Sequence, residues 1–147
     1  MVGQLLQYAS RMKRLYRQQF QPLSAELELS QLEIDILLFL YNNPAYNTAR
    51  DITAMRGFAK SNVSTAVESL RHRGWLTVEP DPESRRIQRL RLAKSRAAQL
   101  RMLADCQEQC FAVMLAGFTA GEIDAQRLFW QRVDANVKAA LAANPKG

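Results

Sequence analysis

Apolar residues follow helical spacing along most of the chain. Between residues 2 and 20 they recur every three or four positions, at Val2, Leu5, Ala9, Met12 and Tyr16. This spacing predicts an amphipathic helix that packs on another long helix and ends at Pro22. The run ILLFLY, which starts at Ile36, belongs to a segment that is apolar nearly all round, and this predicts a buried central helix.

Three helix starts are marked by a Ser or Thr followed three residues later by an acid. In this arrangement each side chain caps a backbone N–H of the other residue. The pairs are Ser30 with Glu33, Thr48 with Asp51, and Thr119 with Glu122. The helix after Thr48 is expected to turn Ile52 and Met55 inward and to end at Gly57. The last helix is expected to carry its apolar side chains on one side.

A short helix pattern and a hairpin pattern follow one another between residues 60 and 92. One helical face is apolar, formed by Val63, Ala66, Val67 and Leu70, and Gly74 is expected to cap this helix. Two runs that alternate apolar and polar residues come next, LTVE and RLRL, joined by a turn rich in proline and arginine. With the short helix before it, this order predicts a helix-turn-helix followed by a β-hairpin wing.

The predicted fold class is mainly α with a small β-hairpin wing. A winged helix-turn-helix is expected over residues 29–96, and N- and C-terminal dimerisation helices over residues 1–28 and 97–147. These terminal helices carry more apolar surface than the central domain could cover, so a two-fold homodimer is expected.

Positive charge is concentrated in the predicted helix and hairpin. The formal net charge is +6, and half of the chain's 20 Lys and Arg residues lie between Lys60 and Arg101. This clustering is typical of an element that contacts phosphates. The chain starts without the apolar core of a signal peptide, and no apolar run approaches the ~20 residues of a membrane span.

The chain resembles the MarR family of bacterial winged-helix transcription regulators over nearly its whole length, and three segments carry the resemblance. The family's second helix is similar to LELSQLEIDILLFLYNNP, its helix-turn-helix to TARDITAMRGFAKSNVSTAVESLRHRGWL, and its wing to DPESRRIQRLRLAK. Arg86 takes the position of the wing arginine. The departures are Ser84 for the usual Asp, Ala93 for Thr, Arg96 for Gly, Arg56 for Leu, and Thr65 and Ser69 for Arg or Lys.

The resemblance implies that the helix from Lys60 enters the major groove of DNA and that the wing arginine enters the adjacent minor groove. The residues expected to contact DNA are Lys60, Ser61, Asn62, Ser64, Thr65, Ser69, Arg85, Arg86 and Arg89. Because the helix face carries no arginine, the wing and phosphate contacts are expected to supply most of the affinity. The expected function is that of a homodimeric repressor on a pseudo-palindromic operator, in the bacterial cytoplasm and on the nucleoid.

The family often binds small aromatic effectors between its dimer helices and its winged helix. The residues that could form such a pocket here are Tyr8, Met12, Tyr16, Phe39 and Phe111. The same residues would also fill an ordinary core, so both interpretations stay open at this point.

Two alternatives to a DNA-binding repressor follow from other features. Thr65 and Ser69 stand where many members of the family carry Arg or Lys. The absence of these cations would suit a winged-helix protein-interaction module with weak DNA binding. Cys106 and Cys110, four residues apart on one helix face, would suit a redox sensor, although small packed residues are the expected reading. No cofactor, metal or enzymatic activity is expected, because no serine has a matching base and no phosphate-binding glycine loop occurs.

Overall fold

The computed structural model describes residues 1–145, apart from the side chain of Val2. The elements are α1 (Val2–Leu27), α2 (Gln31–Asn42), α3 (Ala49–Arg56), α4 (Lys60–His72), β1 (Leu76–Pro80), β2 (Gln88–Leu92), α5 (Ala97–Met114) and α6 (Ala120–Ala143). This order confirms the predicted fold class. The chain divides into two compact units, one from Met1 to Cys110 and one that begins at Phe111. Residues 146 and 147 of the predicted C-terminal region lie outside the described residues.

Helix α1 corrects the prediction that Pro22 ends the first helix. The helix continues through Pro22 to Leu27, and its last residues pack on the core through Phe20, Leu23 and Leu27. A proline inside a helix removes one backbone hydrogen bond at a cost of about 3 kcal/mol. Burial of the side chains on either side of Pro22 offsets that cost. The local sequence pattern could not indicate this burial, because it depends on elements that lie elsewhere in the chain.

Helix α2 is the buried centre of the first unit, as predicted. The reciprocal cap at its start is present, with the Glu33 backbone N–H donating to the Ser30 hydroxyl and the Ser30 backbone N–H donating to the Glu33 carboxylate. The residues from Ile36 to Leu40 are all buried. An element that is apolar all round can be stable only when other elements cover it, so α2 sets the position of its neighbours.

Helices α3 and α4 form the predicted helix-turn-helix. Thr48 and Asp51 cap α3 reciprocally, and α3 ends at Gly57, whose φ of 68° is favourable for glycine. Ile52 is fully buried, whereas Met55 is exposed, so the prediction that Met55 turns inward is wrong. The reason is length, since α3 has only two turns and its C-terminal end extends beyond the core.

The wing is a two-stranded antiparallel hairpin. Leu76 pairs with Leu92, and Val78 pairs with Leu90. The backbone N–H of Leu90 also donates to the carbonyl of Asn47, at 2.7 Å, so the loop between α2 and α3 extends the hydrogen bonding of the hairpin. Gln88 pairs with Pro80 at the end of the hairpin next to the turn. Its alternation with Leu90 and Leu92 predicts that it is buried, but it is exposed.

The second unit consists mainly of α6. Thr119 and Glu122 form the predicted reciprocal cap at its start. No residue of α6 is buried within the single chain. Its exposed apolar side chains include Ile123, Leu128, Phe129, Trp130, Val137 and Leu141. No helix of the described residues combines the length and hydropathy needed to cross a membrane.

Candidate nucleic-acid interface

The outward face of α4 carries most of the predicted DNA-contacting residues. Lys60, Ser61, Asn62, Ser64 and Thr65 are all exposed. The opposite face is buried through Val63, Ala66 and Leu70, and this burial fixes which side of the helix faces solvent. The structure therefore brings these five polar residues together on one surface.

Ser69 lies elsewhere on α4. Its hydroxyl donates a hydrogen bond to the Glu33 carboxylate at 3.0 Å, towards the start of α2. Glu33 is only 8% exposed, so the contact lies at the edge of the core. The structure thus gives Ser69 a partner inside the protein rather than a place on the outward face.

Arg73 is a residue that sequence reasoning missed. It lies just after α4, and its guanidinium reaches the Glu33 carboxylate at 3.6 Å and donates to the carbonyl of Leu27 at 3.1 Å. One side chain therefore joins the end of α4 to the end of α1 and the start of α2. The capping pattern identified Glu33 only as a local cap, and nothing local indicated these long-range partners.

Arg96 continues this set of contacts towards α5. Its guanidinium lies 4.5 Å from the centre of the Trp75 ring and donates to the Arg73 carbonyl at 3.0 Å. Trp75 is buried, and within the described residues its indole N–H has no hydrogen-bond partner. This cation–π contact between Arg96 and Trp75 stabilises the packing at the beginning of the wing. Arg96, which stands where the family usually has glycine, therefore has a packing role.

The tip of the wing presents two arginines. Arg85 and Arg86 are both exposed, in the turn between β1 and β2. The turn is held by a hydrogen bond from the Asp81 backbone N–H to the Ile87 carbonyl and by one from the side-chain amide of Gln88 to the Arg85 carbonyl. These contacts order the backbone and leave the guanidinium groups at the surface.

Arg89 occupies the base of the turn rather than its tip. Its guanidinium donates to the Asp81 carboxylate at 2.8 Å and to the Asn47 side chain at 3.1 Å, where Asn47 is buried. The pKa of Asp81 is lowered, first by the backbone N–H of Glu83 and then by Arg89. Arg89 therefore ties the wing to the loop before α3.

Two charged residues on the exposed side of α4 were also missed. Glu68 and Arg71 form an ion pair three residues apart, in which the guanidinium donates to both carboxylate oxygens. Their side chains are 64% and 48% exposed. The Arg71 guanidinium lowers the pKa of Glu68. The helical spacing from Ser61 could have identified Glu68 as a member of the outward face.

The predicted effector residues lie in different surroundings. In the first unit, Tyr8 and Met12 are exposed, Tyr16 is half-buried and Phe39 is buried, whereas Phe111 begins the second unit and is exposed. The Tyr16 hydroxyl accepts a hydrogen bond from Gln107 at 2.9 Å. Burial raises the pKa of Tyr16 to about 12, so its hydroxyl stays protonated at neutral pH.

The two cysteines have the properties of packed residues. Cys110 is fully buried, and Cys106 contacts the carbonyl of Gln19. Burial raises the pKa of both thiols, which lowers the fraction of reactive thiolate. Among the described residues, no group of three or more His, Cys, Asp or Glu side chains could hold a metal ion.

Comparison with known proteins gives a family match over part of the chain and a fold over nearly all of it. Residues 27–87 match the model of the MarR family. No curated protein matches the sequence. A MarR-family transcriptional regulator from Listeria monocytogenes, solved with a 26-mer DNA, superposes with a TM-score of 0.78 at 17% identity, over 100% of this chain and 95% of its own.

Two other solved structures share the fold. Bordetella bronchiseptica BpsR, whose DNA binding is regulated by 6-hydroxynicotinic acid, has a TM-score of 0.70 and 21% identity, over 91% of this chain and 93% of its own. A MarR-family regulator from Silicibacter pomeroyi has a TM-score of 0.76 and 20% identity, over 88% and 87%. The family model therefore covers α2, the helix-turn-helix, β1 and the turn of the wing, and nearly the whole chain shares its fold with these solved structures.

Proposed function

We propose that this protein is a sequence-specific DNA-binding transcription regulator, a repressor that acts as a homodimer on a pseudo-palindromic operator. The observation that carries the proposal is the arrangement of the first unit. It presents the polar face of α4 and the exposed arginines Arg85 and Arg86 on one scaffold. Helix side chains of this kind read base edges in the major groove, and arginines suit the narrow minor groove.

The proposed contact set differs in two places from the one that the sequence suggested. Ser69 and Arg89 have partners inside the protein, so we assign them to holding α4 and the wing in place. Lys60, Ser61, Asn62, Ser64 and Thr65 stay in the proposed major-groove set. The Listeria relative solved with DNA supports DNA binding as the shared role.

The homodimer is supported by the apolar surface of the second unit. Helix α6 is 24 residues long and buries none of them within one chain. Phe129 and Trp130, in edge-to-face contact at 5.3 Å, are among its exposed residues. A surface of this kind is stable in water when a partner covers it, and two-fold dimers are the commonest solution. Two half-sites about one helical turn apart would match such a dimer.

We also propose that a small aromatic molecule controls DNA binding. Regulation of BpsR by 6-hydroxynicotinic acid supports this control in a protein of the same fold. Tyr8, Met12 and Tyr16 on α1 are the candidate contacts in the first unit, since each offers exposed or half-buried surface. The site of action would be the bacterial cytoplasm, on the nucleoid.

The experiment that tests DNA binding is a titration of labelled upstream DNA followed by fluorescence anisotropy at several salt concentrations. Affinity should fall steeply with salt, because neutralised phosphates release counterions. Arg86→Ala should weaken operator binding by about 1–3 kcal/mol. Arg101→Ala, which removes the same charge from an exposed position of α5, is the matched control and should leave affinity unchanged. Equal affinity of the Arg86→Ala variant and the wild type would contradict the role assigned to the wing.

The second candidate function is a winged-helix protein-interaction module with weak DNA binding. The observation in its favour is Glu68, an acid on the exposed side of α4. Its negative charge would be repelled by the phosphates of DNA and would weaken DNA binding. The same titration separates the two functions. Failure to bind any fragment of the upstream DNA, with no salt dependence, would favour the interaction module.

A further inference from the structure

Glu68 lies on the same exposed strip of α4 as Ser61 and Thr65. These residues are spaced by four and three positions, so their side chains line up on one side of the helix. Val63, Ala66 and Leu70 occupy the opposite, buried side. Glu68 is therefore near the middle of the surface that the proposed function turns towards the major groove.

The carboxylate of Glu68 is held by Arg71 and remains open to solvent. Arg71 donates to both oxygens, through Nε at 3.1 Å and through Nη2. A carboxylate oxygen has two lone pairs, so each oxygen keeps the capacity to accept another hydrogen bond. Arg71 orients the acceptor and offsets its negative charge, which would otherwise be repelled by the DNA phosphates.

A carboxylate in the major groove distinguishes between bases. The N4 amino group of cytosine donates there, whereas the O6 and N7 atoms of guanine and the O4 atom of thymine only accept. A carboxylate facing guanine or thymine would meet another acceptor and leave both groups unpaired. Adenine also offers an amino group, but beside an N7 acceptor that suits an amide better than a carboxylate.

We propose that Glu68 is a specificity-determining residue that accepts a hydrogen bond from the N4 amino group of a cytosine in each operator half-site, with Arg71 as its positioning residue. This inference rests on the proposed function, because it requires α4 to enter the major groove. It predicts one C·G pair per half-site whose replacement lowers affinity about 5- to 150-fold.

The test is selection of binding sites from randomised duplexes by the full-length wild type and by Glu68→Gln. The variant keeps the size and the helix propensity of the side chain but adds donors, so it should lose the cytosine preference at that one position and gain adenine. Preferences at the other positions should stay as they are. Glu68→Ala should accept all four bases there, and Glu108→Gln, on an exposed acid of α5, is the matched control.

The outcomes separate this inference from the proposed function. If the wild type selects a site and Glu68→Gln selects the same bases at every position, the inference is overturned and the DNA-binding function stands. If the wild type binds DNA without selecting any sequence, the proposed function fails and the inference fails with it. Thermal unfolding of each variant, expected to match the wild type, checks that a change in selection does not come from misfolding.

Discussion

Replacing Glu33 by alanine tests whether the contacts around it hold the DNA-reading elements together. The carboxylate accepts from the Ser30 backbone N–H at 2.9 Å and from the Ser69 hydroxyl at 3.0 Å, and it pairs with Arg73 at 3.6 Å. Loss of a helix cap costs about 1 kcal/mol. Loss of a hydrogen bond to a charged group at the edge of the core costs about 1.5–3 kcal/mol. The free energy of unfolding should therefore fall by roughly 2–4 kcal/mol.

This change is measured by urea unfolding followed by far-UV circular dichroism, at one protein concentration because a dimer's stability depends on it. The matched control is Glu26→Ala, on an exposed acid of α1, and it should change the free energy of unfolding by less than about 0.5 kcal/mol. A loss below about 1 kcal/mol in the Glu33→Ala variant would refute the reasoning. A double-mutant cycle with Ser69→Ala should show coupling of about 0.5–3 kcal/mol.

Two further changes test features of the first unit. Glu28→Gly should raise the free energy of unfolding by about 0.5–1 kcal/mol, since Glu28 ends α1 at a φ of 54°, which favours glycine. An unchanged free energy of unfolding in urea would argue against backbone strain at this residue. Burial raises the pKa of Asp35 above 3.8, so its charged form costs stability that returns as the pH falls through that pKa. Asp35→Asn should therefore be more stable than the wild type at pH 7, and this advantage should disappear once the pH falls below about 3.9, the ordinary pKa of an aspartate. An advantage independent of pH would contradict the assignment.

The sequence alone determined the features that depend on neighbouring residues. The reciprocal caps at Ser30, Thr48 and Thr119 are present as predicted, because such a cap needs only residues three positions apart. The apolar character of α2 predicted its burial, and the alternation of LTVE and RLRL predicted the strands. The order of the elements followed, and with it the fold class and the resemblance to the MarR family.

Only the tertiary structure decided which contacts hold these elements together and which polar side chains remain exposed to solvent. Helix α1 passes through Pro22 because the core covers the residues around it. Ser69 and Arg89 turn to partners 36 and 8 residues away, Glu33 and Asp81, while Glu68 stays exposed. Arg73 donates to the carbonyl of Leu27, and Arg96 stacks on Trp75. Folding brings these partners close to the two arginines. A local pattern records the type of a side chain, whereas its partner is set by packing between elements distant in the chain.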